Sequence, residues 1–498
     1  MANVSQDVDD QADSATLGAP RHGASAPRGQ GGVPLSPLHE GRFGRMFRDP
    51  LALKPDDPTL VALAKLVKES GSAASGDNPK IPSGYTYLGQ FIDHDITFDP
   101  RSKLEKDNDP DALVDFRTPR FDLDCLYGSG PDDDPFMYEW SSPTNRGVKL
   151  LIGRNPTAEG QFDRDDLPRN QQGRALIGDP RNDENIIVSQ LQLLFIRLHN
   201  KVVDRTRKNQ NLEGAALFQE AQRITRWHYQ WIVVHDFLER IVGKETAVAV
   251  LRPANATQPA RPALNFFNWR NDPFMPVEFS GAAYRYGHSQ VRAAYDLNAV
   301  VTGVPIFVSA DKPGPLDHLG GFRRLPAAWT IDWPLFFKTS ASATPQLSRK
   351  IDASIAGPLF KLPGPPGNRP SLPLLNLKRG RALGLPSGQD VAAAMGAAPL
   401  TKAQLGLSKI DLPAAGRAQL EAATPLWFYL LREAAALGKG ERLGAVGGRI
   451  VAEVLVGLLA GDPQSYLSRK PTWTPILPSA KKGTFTMPDL VKFALGSA

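Results

Sequence analysis

Residues 186–208 read IIVSQLQLLFIRLHNKVVDRTRK, and residues 213–243 follow with EGAALFQEAQRITRWHYQWIVVHDFLERIVG. In both, apolar residues recur at helical spacing over many turns, which predicts two long helices that each turn one face to a core. Working outward, residues 449–463, RIVAEVLVGLLAGDP, put Ile450, Val451, Val454, Leu455, Leu458 and Leu459 on the same spacing, with Gly461 and Pro463 as the stop. That run contains Glu453 and is shorter than the roughly 20 apolar residues a bilayer span needs, so it predicts a core helix. Residues 51–70, LALKPDDPTLVALAKLVKES, and 426–438, LWFYLLREAAALG, carry helical pattern as well. Residues 101–180 and 300–375 are instead rich in Pro and Gly with little periodicity, which predicts long irregular connections. The expected architecture is mainly α, a large single helical domain with long irregular loops over residues 40–498.

Composition narrows the function classes. The chain has 498 residues, 41% of them hydrophobic and 22% charged, with 44 Gly, 44 Pro and a net charge of +6. A charge excess this small and this spread does not point to nucleic acid. Cys125 is the one cysteine, which excludes an intramolecular disulfide framework and any multi-cysteine zinc or iron–sulfur cage. Metal chemistry must then use His and oxygen ligands. Residues 1–39 hold three Asp in the first ten positions and no Lys or Arg before Arg21, unlike a secretory leader, and they predict a flexible tail. With no membrane span either, the expectation is a soluble chain, cytoplasmic or exported without a leader, of undetermined oligomeric state.

Two short segments carry candidate chemistry. If Tyr87 to Asp95, which opens into GQFIDHDITFDP (89–100), is a helix, Gln90 and His94 are i, i+4 neighbours on one face, and Asp93 and Asp95 project about 100° to either side of His94. A solvated surface triplet is the commoner outcome for such residues. Here the apolar residues around Gln90 turn the polar face inward, where uncompensated charge is costly. In RTPRFDLDCLYGS (117–129), Thr118, Asp122 and Asp124 recur at even spacing, and Arg120 between them can offer its carbonyl. Together with Asp95 they would make an oxygen cage of the kind Ca²⁺ takes. An acidic loop without an ion fits that spacing equally well.

Taken in order, GQFIDHDITFDP, RTPRFDLDCLYGS, DPRNDENIIVSQLQLLFIRLHNKVVD (179–204) and YRYGHSQVR (284–292) resemble the signature segments of the animal-type haem peroxidases, the peroxidase–cyclooxygenase superfamily. The similarity runs from about residue 81 to about residue 381. A weaker likeness in RIVAEVLVGLL, of the kind found in bacterial-type members, extends it nearly to the C-terminus. The resemblance implies a myeloperoxidase-like fold, a haem b cofactor and a bound Ca²⁺. It also implies a reaction in which hydrogen peroxide is reduced and a small electron donor, a halide, pseudohalide or phenol, is oxidised.

The same resemblance assigns residues. His94 matches the distal histidine, with Gln90 beside it and Arg181 completing the distal triad; a base and a cationic donor are what peroxide heterolysis needs. His288 matches the proximal iron ligand and Asn376 its hydrogen-bond partner on the other ring nitrogen. Arg285 and Arg379 match positions directed at haem propionates or the haem edge. Asp93 and Glu184 match carboxylates that can be esterified to haem methyl groups. Asp95, Thr118, Arg120, Asp122 and Asp124 match the calcium ligands, with calcium structural.

Two departures discriminate within the superfamily. Asn185 stands where mammalian myeloperoxidase carries a methionine that forms a third haem link, which argues against chloride as the donor. Arg285 stands where cyclooxygenases and fatty-acid α-dioxygenases carry a radical-forming tyrosine, so a peroxidase is favoured over a lipid oxygenase. A calcium-stabilised adhesion or matrix protein without turnover is the remaining alternative, and the intact set of Gln90, His94, Arg181 and His288 argues against it. Of the eight histidines only His94 and His288 are given chemistry. His199 is read as a core histidine, His228 and His235 as packing or half-exposed, and His22, His39 and His318 as loop residues without a signal.

Overall fold

Three helices that position the functional residues meet around a cluster of aromatic rings. The computed structural model of the chain describes residues 41–496 apart from 70–75, 99–107, 111–112, 156–162, 255–257, 268, 270–272, 309–313, 315 and 364–368. The tail expected over residues 1–39 lies outside the described residues. Helices α1 (Asp57–Leu66) and α2 (Gly84–Ile96) come first, followed by the long pair α3 (Ile186–Gln210) and α4 (Gly214–Ile232). The ring of Phe91 on α2 stacks on Phe195 of α3 with centroids 4.5 Å apart, and Tyr229 of α4 meets both edge-on at 6.1 and 5.7 Å. Such pairs contribute about 0.5–1.5 kcal/mol each beyond the area they bury. They fix α2 against the long pair, one residue after Gln90 and three before His94.

Sequence expectation and structure differ in α4. The pattern over residues 213–243 reads as one continuous helix, but the chain widens into a π turn at Val233–Phe237 before Leu238–Val242 resumes α-helix. That wide turn delivers Asp236 to the interior. Its carboxylate accepts hydrogen bonds from the Tyr85 hydroxyl at 2.8 Å, the Met487 amide at 2.8 Å and Arg240 Nε at 2.7 Å. Apolar periodicity is insensitive to one extra residue, so the turn was invisible to it. Phe237, at the end of the turn, lies against Gly89, where an added Cβ would come within 3.3 Å of its ring.

Three later helices complete the core: α5 (Leu372–Ala382), α6 (Leu426–Gly438) and α7 (Ala445–Gly461), the last buried along most of its length. Glu453 inside α7 is buried yet paired, accepting from the amides of Asn265, Phe266 and Phe267 and from Arg449 Nε at 2.6 Å. Strands are short. The largest sheet among the described residues has three strands, with Gly41–Gly44 antiparallel to Val114–Asp115 and parallel to Met275–Pro276. No helix among the described residues is long and apolar enough to cross a membrane.

His199 and His228 are structural. His199 is buried between the Tyr127 hydroxyl (3.0 Å) and the Val148 carbonyl (2.9 Å), and burial lowers its pKa to about 4. His228 is fully buried rather than half-exposed: Nδ1 pairs with the Ile224 carbonyl and Nε2 accepts from the amides of Ile476 and Leu477.

Candidate active site

A single cavity of about 610 Å³ gathers side chains from distant parts of the chain. Helix α2 contributes Thr86, Gln90, Asp93 and His94. The turn before α3 contributes Glu184 and Asn185, and the 3-10 segment Ala283–Gln290 contributes Tyr284, Arg285 and His288. His94 and His288, 194 positions apart in sequence, therefore face one space. Val291, Ile306, Phe307, Leu359, Leu362 and Leu372 give it a mainly apolar wall.

Both imidazoles are held neutral. Burial lowers the His94 pKa first, and the Arg181 charge lowers it further, against the opposing pull of Glu184, Asp179 and Asp93. Burial and then Arg285 bring His288 to about 3. Each ring has its Nδ1 against a buried amide: His94 Nδ1 lies 2.7 Å from Asn182 Oδ1, and His288 Nδ1 lies 2.9 Å from Asn376 Nδ2. Asn376 Oδ1 lies 3.5 Å from Arg285 NH1. Gln90 Nε2 donates to Glu184 Oε1 at 2.5 Å, and His94 Nε2 lies 3.8 Å from the same oxygen.

Glu184 is positioned from outside its own turn. Gly321 donates to the Glu184 carbonyl at 2.9 Å and Phe322 to the Asp183 carbonyl at 2.6 Å. A Cβ at Gly321 would overlap the Asp183 carbonyl oxygen, so only glycine allows this approach. Phe322 itself has φ +56°, an uncommon conformation for a bulky residue, and lines the cavity mouth beside His318. Sequence reading gave His318, Phe307 and Phe322 no role; they lie in a Pro/Gly-rich stretch whose fold no local pattern announces.

Arg181 is engaged at the end of α2. Among the described residues it does not line the cavity. Its NH2 donates to the carbonyls of His94 (3.0 Å) and Thr97 (2.7 Å) at the end of α2 and to Asp179 Oδ2 (2.7 Å), and its guanidinium lies 4.5 Å from the Phe98 ring centre. The physical reason is local: the last carbonyls of a helix need donors, and a buried carboxylate two residues away needs a cation. Asp179 also accepts from Arg117 NH2 at 2.6 Å, and Arg117 NH1 in turn reaches Asp124 Oδ2 at 3.2 Å. Burial pushes the Asp179 carboxyl up, yet Arg181 and Arg117 outweigh it and hold the pKa well below the carboxylate range. Arg379, half-buried on α5 one turn after Asn376, is likewise not among the described residues lining the cavity.

Behind His94 the oxygen-bearing residues converge in part. Carboxylate oxygens of Asp95, Asp122 and Asp124 all lie within 4.8 Å of one another. Asp95 Oδ1 and Asp124 Oδ1 are buried without a hydrogen-bond partner among the described residues. Burial, then the neighbouring Asp124 and Asp122, push the Asp95 carboxyl well up. Burial also pushes Asp124 up to about 7, Asp122 and Asp179 adding to it and Arg117 opposing. Thr118 Oγ1 donates to Asp122 Oδ2 at 2.7 Å, and the Arg120 amide donates to the Thr118 carbonyl at 2.7 Å. Three clustered carboxylates, two of them with an orphaned oxygen, are short of positive charge, and oxygen donors of this kind suit a hard cation.

Comparison with known proteins agrees with the helical frame. A family model described as animal haem peroxidase matches residues 144–411, more than half of the chain. Chorion peroxidase of Drosophila melanogaster is 25% identical over 346 residues, covering 66% of this chain and 40% of that protein. The chain spans less than half the length of the curated relatives it matches. Among solved structures, peroxidase A of Dictyostelium discoideum aligns with a TM-score of 0.62 at 15% identity, over 93% of this chain and 98% of that one. Fatty acid alpha-dioxygenase of Oryza sativa aligns with a TM-score of 0.59 at 17% identity, over 87% and 79%.

Proposed function

Because the chain belongs to the animal haem peroxidase family, we propose that it is a haem-dependent peroxidase that reduces hydrogen peroxide and oxidises a halide, a pseudohalide or a phenolic donor. One observation carries the reading: two neutral imidazoles, His94 and His288, open into one largely apolar cavity of about 610 Å³. A haem b bound there would supply the redox chemistry, an iron centre that takes up the two oxidising equivalents of peroxide and passes them to a donor.

The chain's own residues have distinct tasks. Neutral His288 offers Nε2 to a metal once its proton is on Nδ1. With Asn376 Nδ2 facing it, Nδ1 accepts; turning the amide over lets Oδ1 accept from Nδ1–H and frees Nε2. His94 takes a proton from the peroxide oxygen and returns it to the departing one, which leaves as water. Gln90 lies beside it on the cavity wall, tied to Glu184. Asp93 and Glu184 both reach the wall and are the carboxylates placed for ester links, and Arg285, on the same wall, is the cation placed to meet a haem propionate. Asp95, Asp122 and Asp124, with Thr118 and the Arg120 carbonyl, would hold Ca²⁺, and an ion there would steady the end of α2 next to His94.

A second reading, a fatty-acid oxygenase, has one observation in its favour: the Tyr284 hydroxyl is buried, without a hydrogen-bond partner among the described residues, and its ring lines the cavity. Absorption spectroscopy after haem supplementation tests the haem reading. A Soret band is expected in the wild type and in His94→Ala and should be lost in His288→Ala, while peroxide turnover falls by about 10²–10⁴ in His94→Ala. No Soret band in the wild type would remove both readings. Oxygen uptake with a long-chain fatty acid, abolished by Tyr284→Phe, would favour the oxygenase. Haem that extracts fully into acidic organic solvent after peroxide treatment would remove the ester links.

A further inference from the structure

We infer that a chain of two buried amides, Asn182 and Gln192, anchored on the main-chain carbonyl of Cys125, sets which nitrogen of His94 carries the proton. The inference rests on the peroxidase reading and adds positioning residues to it. Gln192, one turn and a half into α3, donates from Nε2 to the Cys125 carbonyl at 3.1 Å. The other contact on that oxygen comes from the Gly178 amide at 3.1 Å. Gly178 packs so closely that a Cβ there would overlap the Asp124 carbonyl oxygen.

The logic runs outward from this anchor. A carbonyl oxygen only accepts, so Gln192 must present its NH₂ group to Cys125 and its Oε1 to Asn182. Asn182 must then donate from Nδ2 to that oxygen, as it does at 2.9 Å, which turns its own Oδ1 toward His94. At 2.7 Å from an acceptor, His94 Nδ1 must carry the hydrogen. Nε2 is left as a bare lone pair facing the cavity, the form a proton acceptor there requires. Asn182 and Gln192 are both fully buried, so water does not compete for these bonds. Neither residue touches the cavity; they act through His94. Asn182 sits in the same quoted segment as Arg181 and Glu184, but spacing alone gives no sign that it faces the imidazole.

The test reads tautomer and proton transfer separately from haem binding. Nitrogen-15 shifts of His94, assigned by comparison with His94→Gln, are measured in the haem-loaded protein held diamagnetic as its ferrous carbonyl, and again in the haem-free chain. The expected result is a protonated Nδ1 and a bare Nε2 in both; protonation at Nε2 overturns the inference even if no variant folds. Hydrogen cyanide must surrender a proton to bind ferric haem, whereas carbon monoxide binds ferrous haem with no proton to move. In Asn182→Leu, cyanide association should slow by about tenfold, equivalent to about 1.4 kcal/mol, with carbon monoxide association unchanged. Asn182→Asp, which keeps an acceptor oxygen, should restore the cyanide rate. An unchanged cyanide rate in Asn182→Leu would overturn the inference while leaving the haem assignment standing; a wild type without a Soret band would do the reverse, and the haem-free spectrum would still decide the tautomer.

Discussion

Asp179→Asn is the substitution most exposed to measurement, because one buried carboxylate serves two arginines near the end of α2. Its side chain is only 1% exposed. Oδ1 accepts from the Arg181 amide at 2.8 Å and Nε at 3.1 Å, while Oδ2 accepts from Arg181 NH2 at 2.7 Å and from Arg117 Nε and NH2 at 3.0 and 2.6 Å. Asparagine keeps one acceptor oxygen, so the cap on the Arg181 amide survives. It loses the charge and sets an NH₂ group against two guanidiniums. Breaking a buried pair in this way costs about 3–5 kcal/mol, a large part of the roughly 5–15 kcal/mol that native proteins have. The pH dependence gives an independent signature. The folded pKa of Asp179 lies below its ordinary 3.8, so the unfolded chain takes up the proton first. The stabilisation is therefore complete above about pH 4 and drains away as pH falls below it. The variant should show a shallower acid limb, by up to about 1.4 kcal/mol per pH unit. Urea denaturation followed by tryptophan fluorescence between pH 2 and 7 measures both. A loss below about 1 kcal/mol at pH 7, or an unchanged acid limb, would refute the hub.

Further expectations concern the frame and the cation. Phe195→Ala should cost about 3–5 kcal/mol in denaturant melts and weaken haem affinity as well, since Phe195 stacks on Phe91 beside Gln90; a loss under 1 kcal/mol would mean that α2 is held elsewhere. Calcium at 100 times its Kd should stabilise the protein by about 2.7 kcal/mol over a chelated sample, and Asp124→Asn should abolish that response in thermal melts. An equal response in the variant would exclude Asp124 as a ligand. Gly321→Ala should destabilise by about 1–3 kcal/mol, because its Cβ meets the main chain of Asp183 and not a movable side chain; a neutral effect would show that the loop yields freely.

Much of the helical frame was legible because periodicity is a local property. The runs at 186–208 and 449–463 became α3 and α7, and the segment around His94 became the helix its i, i+4 pairing required. The π turn at Val233–Phe237 was not legible, since it alters backbone bonding without altering the apolar pattern. Arg181 shows a different limit. Its neighbours in sequence match a familiar segment, but the direction of its guanidinium follows from Asp179 and from the carbonyls of His94 and Thr97.

By itself, the order of residues determined the mainly helical class and the family, because apolar period and motif spacing are written along the chain. Tertiary structure alone decided that His94 and His288 share a cavity, that His318 and Phe322 stand at its mouth, and that the Cys125 carbonyl orients Asn182 through Gln192. Those facts depend on where distant segments come to rest and on which buried donors and acceptors remain to be satisfied there, and neither is a property of any local stretch of sequence.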